Sequence, residues 1–150
     1  MTDTAIRPIV EAFYKACASR DIERVAEMLD DDVDWLVQGP VDVFSFFGQR
    51  HGKAAVLDGY RAVAHKLEIT GYQVEALLVD GDRAAALIRI TSILRSTGKV
   101  MSVRTSQFSQ FRDGKVVEMR GVVDSFDMVE QTIGRSLDPL GVDVAEMAVA

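Results

Sequence analysis

The sequence is short of the residues that usually betray a chemistry. Its single cysteine, Cys17, cannot close an intrachain disulfide. Its two histidines, His51 and His65, form no His/Cys cluster of metal-binding spacing. No Gly-rich segment matches a phosphate loop, and the acidic run Asp30-Asp31-Asp32 with Asp34 lacks the central Gly and distal Glu of a calcium loop. No cofactor and no metal site are therefore expected. Basic residues are outnumbered, 17 Lys+Arg against 23 Asp+Glu, and a surface of net charge −6 repels a phosphate backbone, so nucleic acid is not an expected partner. No apolar run approaches the roughly 18 residues of a membrane span, so no membrane partner is expected. The opening Met1 to Ala5 has neither the basic nor the apolar part of a leader, and the expected location is cytoplasmic. What remains is a chain of 150 residues, 48% hydrophobic and 27% charged, which suits one soluble globular domain.

Apolar positions at Ile6, Ile9, Val10, Phe13, Ala16 and Cys17 follow the spacing of an amphipathic helix. Asp21 is placed to cap a second, shorter helix carrying Ile22, Val25, Ala26 and Leu29. A short strand is predicted around Val33 to Val37, then a loop from Gln38 to Gly52 that tucks Phe44, Phe46 and Phe47 inward, then a third helix with Val56, Tyr60, Val63, Ala64 and Leu67 on one side. From Ile69 the pattern becomes extended, and turn signals at Asp80-Gly81, Thr97-Gly98 and Asp113-Gly114 divide it into consecutive antiparallel strands. Helices first and a strand meander afterwards is an α+β pattern, with the cone between sheet and helices as the natural pocket. The domain is expected to cover residues 1–133, with 134–150 as a tail.

This order, and above all GKVVEMRGVVD from Gly114 to Asp124, resembles the closing strand of ketosteroid isomerases and of the superfamily with the nuclear transport factor 2 fold. The stretch from Phe46 to Gly52 is similar to the entrance to helix three in SnoaL-like proteins. The resemblance implies a cone-shaped curved antiparallel sheet packed on three N-terminal helices, and a homodimer formed through the outer face of the sheet. Carried over residue by residue, the catalytic positions of a ketosteroid isomerase fall on Val37 for the base, Phe13 for the tyrosine and Ser106 for the protonated acid. Tyr14 is one residue from the tyrosine position, but one helical step turns a side chain by about 100°. Of the Asp, Arg, Asp set of limonene epoxide hydrolases only the arginine survives, at Arg89, with Thr91 and Gly121 at the acids. Neither reaction is expected. The acid that SnoaL-like cyclases carry late in the last strand corresponds to Asp124.

The family matching makes pocket faces of Leu87, Arg89, Thr91 and Ile93 on one strand and of Ser102, Arg104, Ser106 and Phe108 on the next. Arg89, with Arg104 and Ser106, would then stabilise an oxyanion, and Asp124 or His51 would handle a proton. Trp35, Phe47, Tyr60 and Phe108 would wall a small hydrophobic or aromatic ligand carrying an anionic or polar group. The reading expected is a lyase, isomerase or cyclase. The alternatives are a noncatalytic binding protein and a dimerising interaction domain of the same fold. Blander roles stay open residue by residue: Arg89 paired with an acid, Arg104 facing solvent, Asp124 capping a helix, His51 at the surface and Trp35 in the core.

Overall fold

The structure is a computed structural model and describes residues 3–137. The chain runs α1 (Asp3–Ser19), α2 (Ile22–Glu27), β1 (Leu29–Gln38), β2 (Gly48–His51), α3 (Lys53–Lys66), β3 (Leu67–Asp80), β4 (Arg83–Leu94), β5 (Val100–Arg112), β6 (Lys115–Val123) and α4 (Ser125–Ile133). The strands form one curved six-stranded sheet in the order β2-β1-β6-β5-β4-β3. All pairings are antiparallel except β1 with β6, which run parallel because α3 and the β3–β5 meander intervene between them. The expected fold class is the observed one. Two details differ. The first strand is longer than Val33 to Val37, and the segment read as loop up to Gly52 contains the edge strand β2. Of the tail from Gly134, residues 138–150 lie outside the described residues.

Local signals in the sequence account for the elements. In α1, Ile6, Val10 and Phe13 are fully buried on the three-and-four spacing that defines its inner face. The helix ends with Asp21 N donating to Ala16 O and Arg20 N donating to Cys17 O. This paired capping needs a left-handed residue, and Arg20 supplies it at φ 56°. The Asp21 carboxylate then accepts from Arg24 N at 3.0 Å and starts α2. At the β5–β6 hairpin Asp113 and Gly114 both have positive φ, the requirement of the tight turn that joins strands two residues apart.

The buried side chains form two clusters rather than one. The larger joins α1, α2 and the inner sheet through Phe13, Val25, Val33, Ile88, Phe111 and Val116. The smaller gathers Phe44, Phe47, Leu67, Leu94, Met101 and Met128 from the aromatic loop, the end of the β3–β4 pair where Leu67 faces Leu94, the start of β5 and α4. The space between these two clusters is the functional candidate.

Candidate binding cavity

A cavity of about 210 Å³ opens between the clusters inside the cone. Trp35 and Val37 of β1 and Val56, Tyr60 and Val63 of α3 wall one side. Ile90, Val103, Met119 and Val123 floor it from the sheet, and Phe47 and Met128 close it from the second cluster. The surface is mostly apolar, with a few polar groups, the usual make-up of a small-molecule site. The indole of Trp35 lies 6.0 Å from the ring of Tyr60.

The polar groups are concentrated where α1 meets α3 and β3. Cys17 Sγ lies 3.8 Å from the Tyr60 hydroxyl, and Tyr72 reaches the cavity beside them. Burial pushes the Cys17 thiol up to about 11 and raises the Tyr60 and Tyr72 hydroxyls above their usual value of 10.0. All three groups are therefore neutral near pH 7 and act as hydrogen-bond donors rather than as bases. Ser92, Thr105 and Gln107 add neutral groups from the sheet, and Thr105 Oγ1 already donates to Val122 O at 3.2 Å. Among the described residues no Asp, Glu or His lines this cavity. The arrangement can hold an apolar body and donate to an acceptor oxygen, but it holds no side chain poised to take a proton.

The expected site residues divide accordingly. Trp35, Phe47 and Tyr60 do line the cavity. Arg89, Arg104, Ser106 and Phe108 do not, and their expected inward face is corrected: Ile88, Ile90 and Ser92 of β4 and Met101, Val103 and Thr105 of β5 point in instead. Arg89 and Arg104 are direct cross-strand neighbours on the outer face. Glu75, bulged out of the β3–β4 register, accepts from Arg89 Nε at 2.8 Å and from Arg104 Nε at 2.9 Å. One carboxylate thus relieves a like-charge pair. Phe108 is 56% exposed on the same outer face.

His51 is likewise outside the cavity, exposed on β2 opposite Asp34. Asp124, the last acid in question, is exposed and caps α4, accepting from Asp127 N at 3.1 Å. Asp124→Ala should cost about 1 kcal/mol of stability with ligand affinity unchanged, as read by urea unfolding alongside a binding titration. The residues that sequence reasoning missed are Arg20, Arg50, Tyr72 and, as a cavity group, Cys17. Cys17 lies on the last turn of α1, and Arg20 follows the helix in a left-handed conformation, so the helical stripe that reaches Cys17 does not extend to the arginine.

The carboxylates of the outer face carry a pH signature. Hydrogen bonds from Arg104 and Arg89 hold Glu75 below its usual 4.5, and Arg120, with Gln49, holds Asp34 below its usual 3.8. A carboxyl whose pKa is lower folded than unfolded stabilises the fold above the unfolded value and loses that contribution as pH falls through the folded one. Thermal stability should therefore decline below about pH 4.5, and the decline should be shallower in Glu75→Gln, as melting curves across pH will show.

These features match known proteins. A sequence profile described as the SnoaL-like domain covers residues 10–119. The chain belongs to the SnoaL-like family. The crystal structure of "Putative Isomerase from Rhodopseudomonas palustris" shares 40% identity and superposes with a TM-score of 0.75, covering 84% of this chain and 93% of that one. An NTF2-like protein of unknown function from Burkholderia pseudomallei has 20% identity and a TM-score of 0.76, over 87% of this chain and 98% of that one. An LEH-like epoxide hydrolase from M. tuberculosis has 20% identity and a TM-score of 0.69, over 89% of this chain and 92% of that one. At 20% identity the last two establish the NTF2-like fold alone. A search of curated proteins found no match. This SnoaL-like chain therefore shares the family's scaffold.

Proposed function

We propose that this SnoaL-like protein binds one small, mostly apolar, ring-containing molecule in the cone. In this reading the rings lie between Trp35, Tyr60 and Met128, and an acceptor oxygen meets the hydroxyls of Tyr60 and Tyr72. The observation that carries the reading is the cavity itself: about 210 Å³ of space inside the core, apolar in lining, with neutral donors gathered at one end. A close-packed interior does not keep such a space by default, since voids larger than a water are few and cost stability.

A second reading, catalysis, is favoured by the isomerase assignment of the Rhodopseudomonas palustris relative, at 40% identity. In that case the tyrosine hydroxyls would polarise a carbonyl and hold the charge that develops on its oxygen. With no carboxylate or imidazole at the cavity among the described residues, the proton would be left to a water or to a basic group of the substrate. Acid–base work by Arg89, Asp124 and His51 is not retained, because none of them reaches the cavity.

Trp35 is the only tryptophan and lines the cavity, so its emission reports occupancy. Titration with 2-acetylnaphthalene, a neutral aromatic ketone of suitable size, should shift or quench that emission saturably and raise the melting temperature. A linear, unsaturable response with no thermal shift, from this probe and from its carboxylate analogue alike, would reject the binding reading.

A further inference from the structure

Most arginines of the described chain are ion-paired: Arg61 with Asp58, Arg89 and Arg104 with Glu75, Arg95 with Glu68, Arg120 with Asp34. The two that line the cavity are not. Neither Arg20 nor Arg50 meets a carboxylate among the described residues, and they are the only charged side chains of its lining. In a chain of net charge −6 a wall that holds two cations and, among the described residues, no acid is a selective feature, because a positive charge beside an apolar cavity attracts an anion more strongly than it would in water.

The two arginines are built differently. Arg50, part-buried on β2, donates Nη1 to Ala55 O at 3.1 Å and Nη2 to Ser45 O at 3.0 Å, while its buried Nε has no partner. Its guanidinium is fixed against α3 at Gly59, where a Cβ would fall 2.8 Å from Nε. It is a stationary charge in the wall. Arg20 is exposed at the cavity's rim, and among the described residues its guanidinium makes one hydrogen bond, from Nη1 to Ala18 O at 3.3 Å. Most of its donors are free. It also occupies the left-handed position after α1, at φ 56°, where glycine would end the helix at lower cost. A strained residue kept at the edge of a cavity is a pointer to function.

We infer that the ligand of this cavity is an aromatic or alicyclic acid whose anionic oxygen is received at the rim by Arg20, within the field of the fixed Arg50. This rests on the cavity being the ligand site and names the class of molecule that occupies it. The rings fill the apolar interior, and the carboxylate stays near water, where its desolvation is modest and a charge-assisted bond to a guanidinium is strong.

The test compares 2-naphthoate with the nearly isosteric 2-acetylnaphthalene, both followed through Trp35 emission. The native protein should bind the acid about tenfold or more tighter than the ketone. Arg20→Gly should remove that preference without weakening the ketone. The same variant should raise the melting temperature by about 2–4 °C, because glycine relieves the left-handed strain. A merely structural Arg20 would instead lower it or leave it unchanged. Equal or tighter binding of the ketone by the native protein overturns the inference while leaving the cavity a ligand site. An acid preference that survives in Arg20→Gly overturns the assignment to Arg20. Binding of neither probe overturns the inference together with the reading beneath it.

Discussion

Val103→Phe should abolish binding of naphthalene-sized ligands, weakening them about 100-fold or more, while the melting temperature stays level or rises. Val103 lies on the inner face of β5, borders the cavity and packs against the second cluster. The larger ring has somewhere to go in the free protein, namely the cavity, so the overpacking cost of about 1–3 kcal/mol falls on the complex instead of on the fold. Trp35 emission and a melting curve on the same variant separate the two effects. A Val103→Phe protein that binds as tightly as the native one would mean that ligands dock elsewhere.

Phe13→Ala is the opposite experiment and should lower stability by about 3–5 kcal/mol. Phe13 has no exposed surface and packs edge-on to Tyr14 and Phe111, with ring centroids 5.3 and 6.1 Å apart. Truncating it opens a new void in the larger cluster, a serious loss for a domain whose whole stability is about 5–15 kcal/mol. Urea unfolding should show the midpoint falling with little change in slope. Truncating Val63, which already borders the cavity, should cost less. The contrast also bears on the chemistry. Phe13, expected from the resemblance at the ketosteroid isomerase tyrosine position, faces filled core and does not line the cavity.

How legible the molecule was depended on contrast between faces. The stripe on α1, the Asp21 cap and the three Gly-containing turns after β3, β4 and β5 are local signals, and each forms where expected. The family resemblance supplied the rest of the architecture. The failure was in the parity of β4 and β5. Leu87 and Ile93 on one face of β4 are as apolar as Ile88 and Ile90 on the other, so alternation alone favoured neither, and a one-residue error inverts the whole strand. The guanidinium groups held the decisive signal. Two arginines facing each other across a pair of strands are costly to bury, and the weight of Met101, Val103 and Phe111 on the other face of β5 argued for the outside. The bulge that brings Glu75 beneath both of them, which interrupts the pairing between Val74 and Ala76, has no comparable mark in the sequence. The strand β2 was missed because four residues, the first of them Gly48 and the next beyond them Gly52, give no period to read.

The central claim is that a ligand enters the core between its two clusters, and the methionine methyl groups can report this directly. Met101, Met119 and Met128 border the cavity, whereas Met28 borders the separate groove of Pro8 and Ile9 between α1, α2 and the β5–β6 turn. With methionine methyl groups labelled, NMR of the full chain saturated with 2-naphthoate or 2-acetylnaphthalene should give intermolecular NOEs from the probe to Met101, Met119 and Met128, and none to Met28. NOEs confined to Met28, or absent from all four under saturation, would contradict the account.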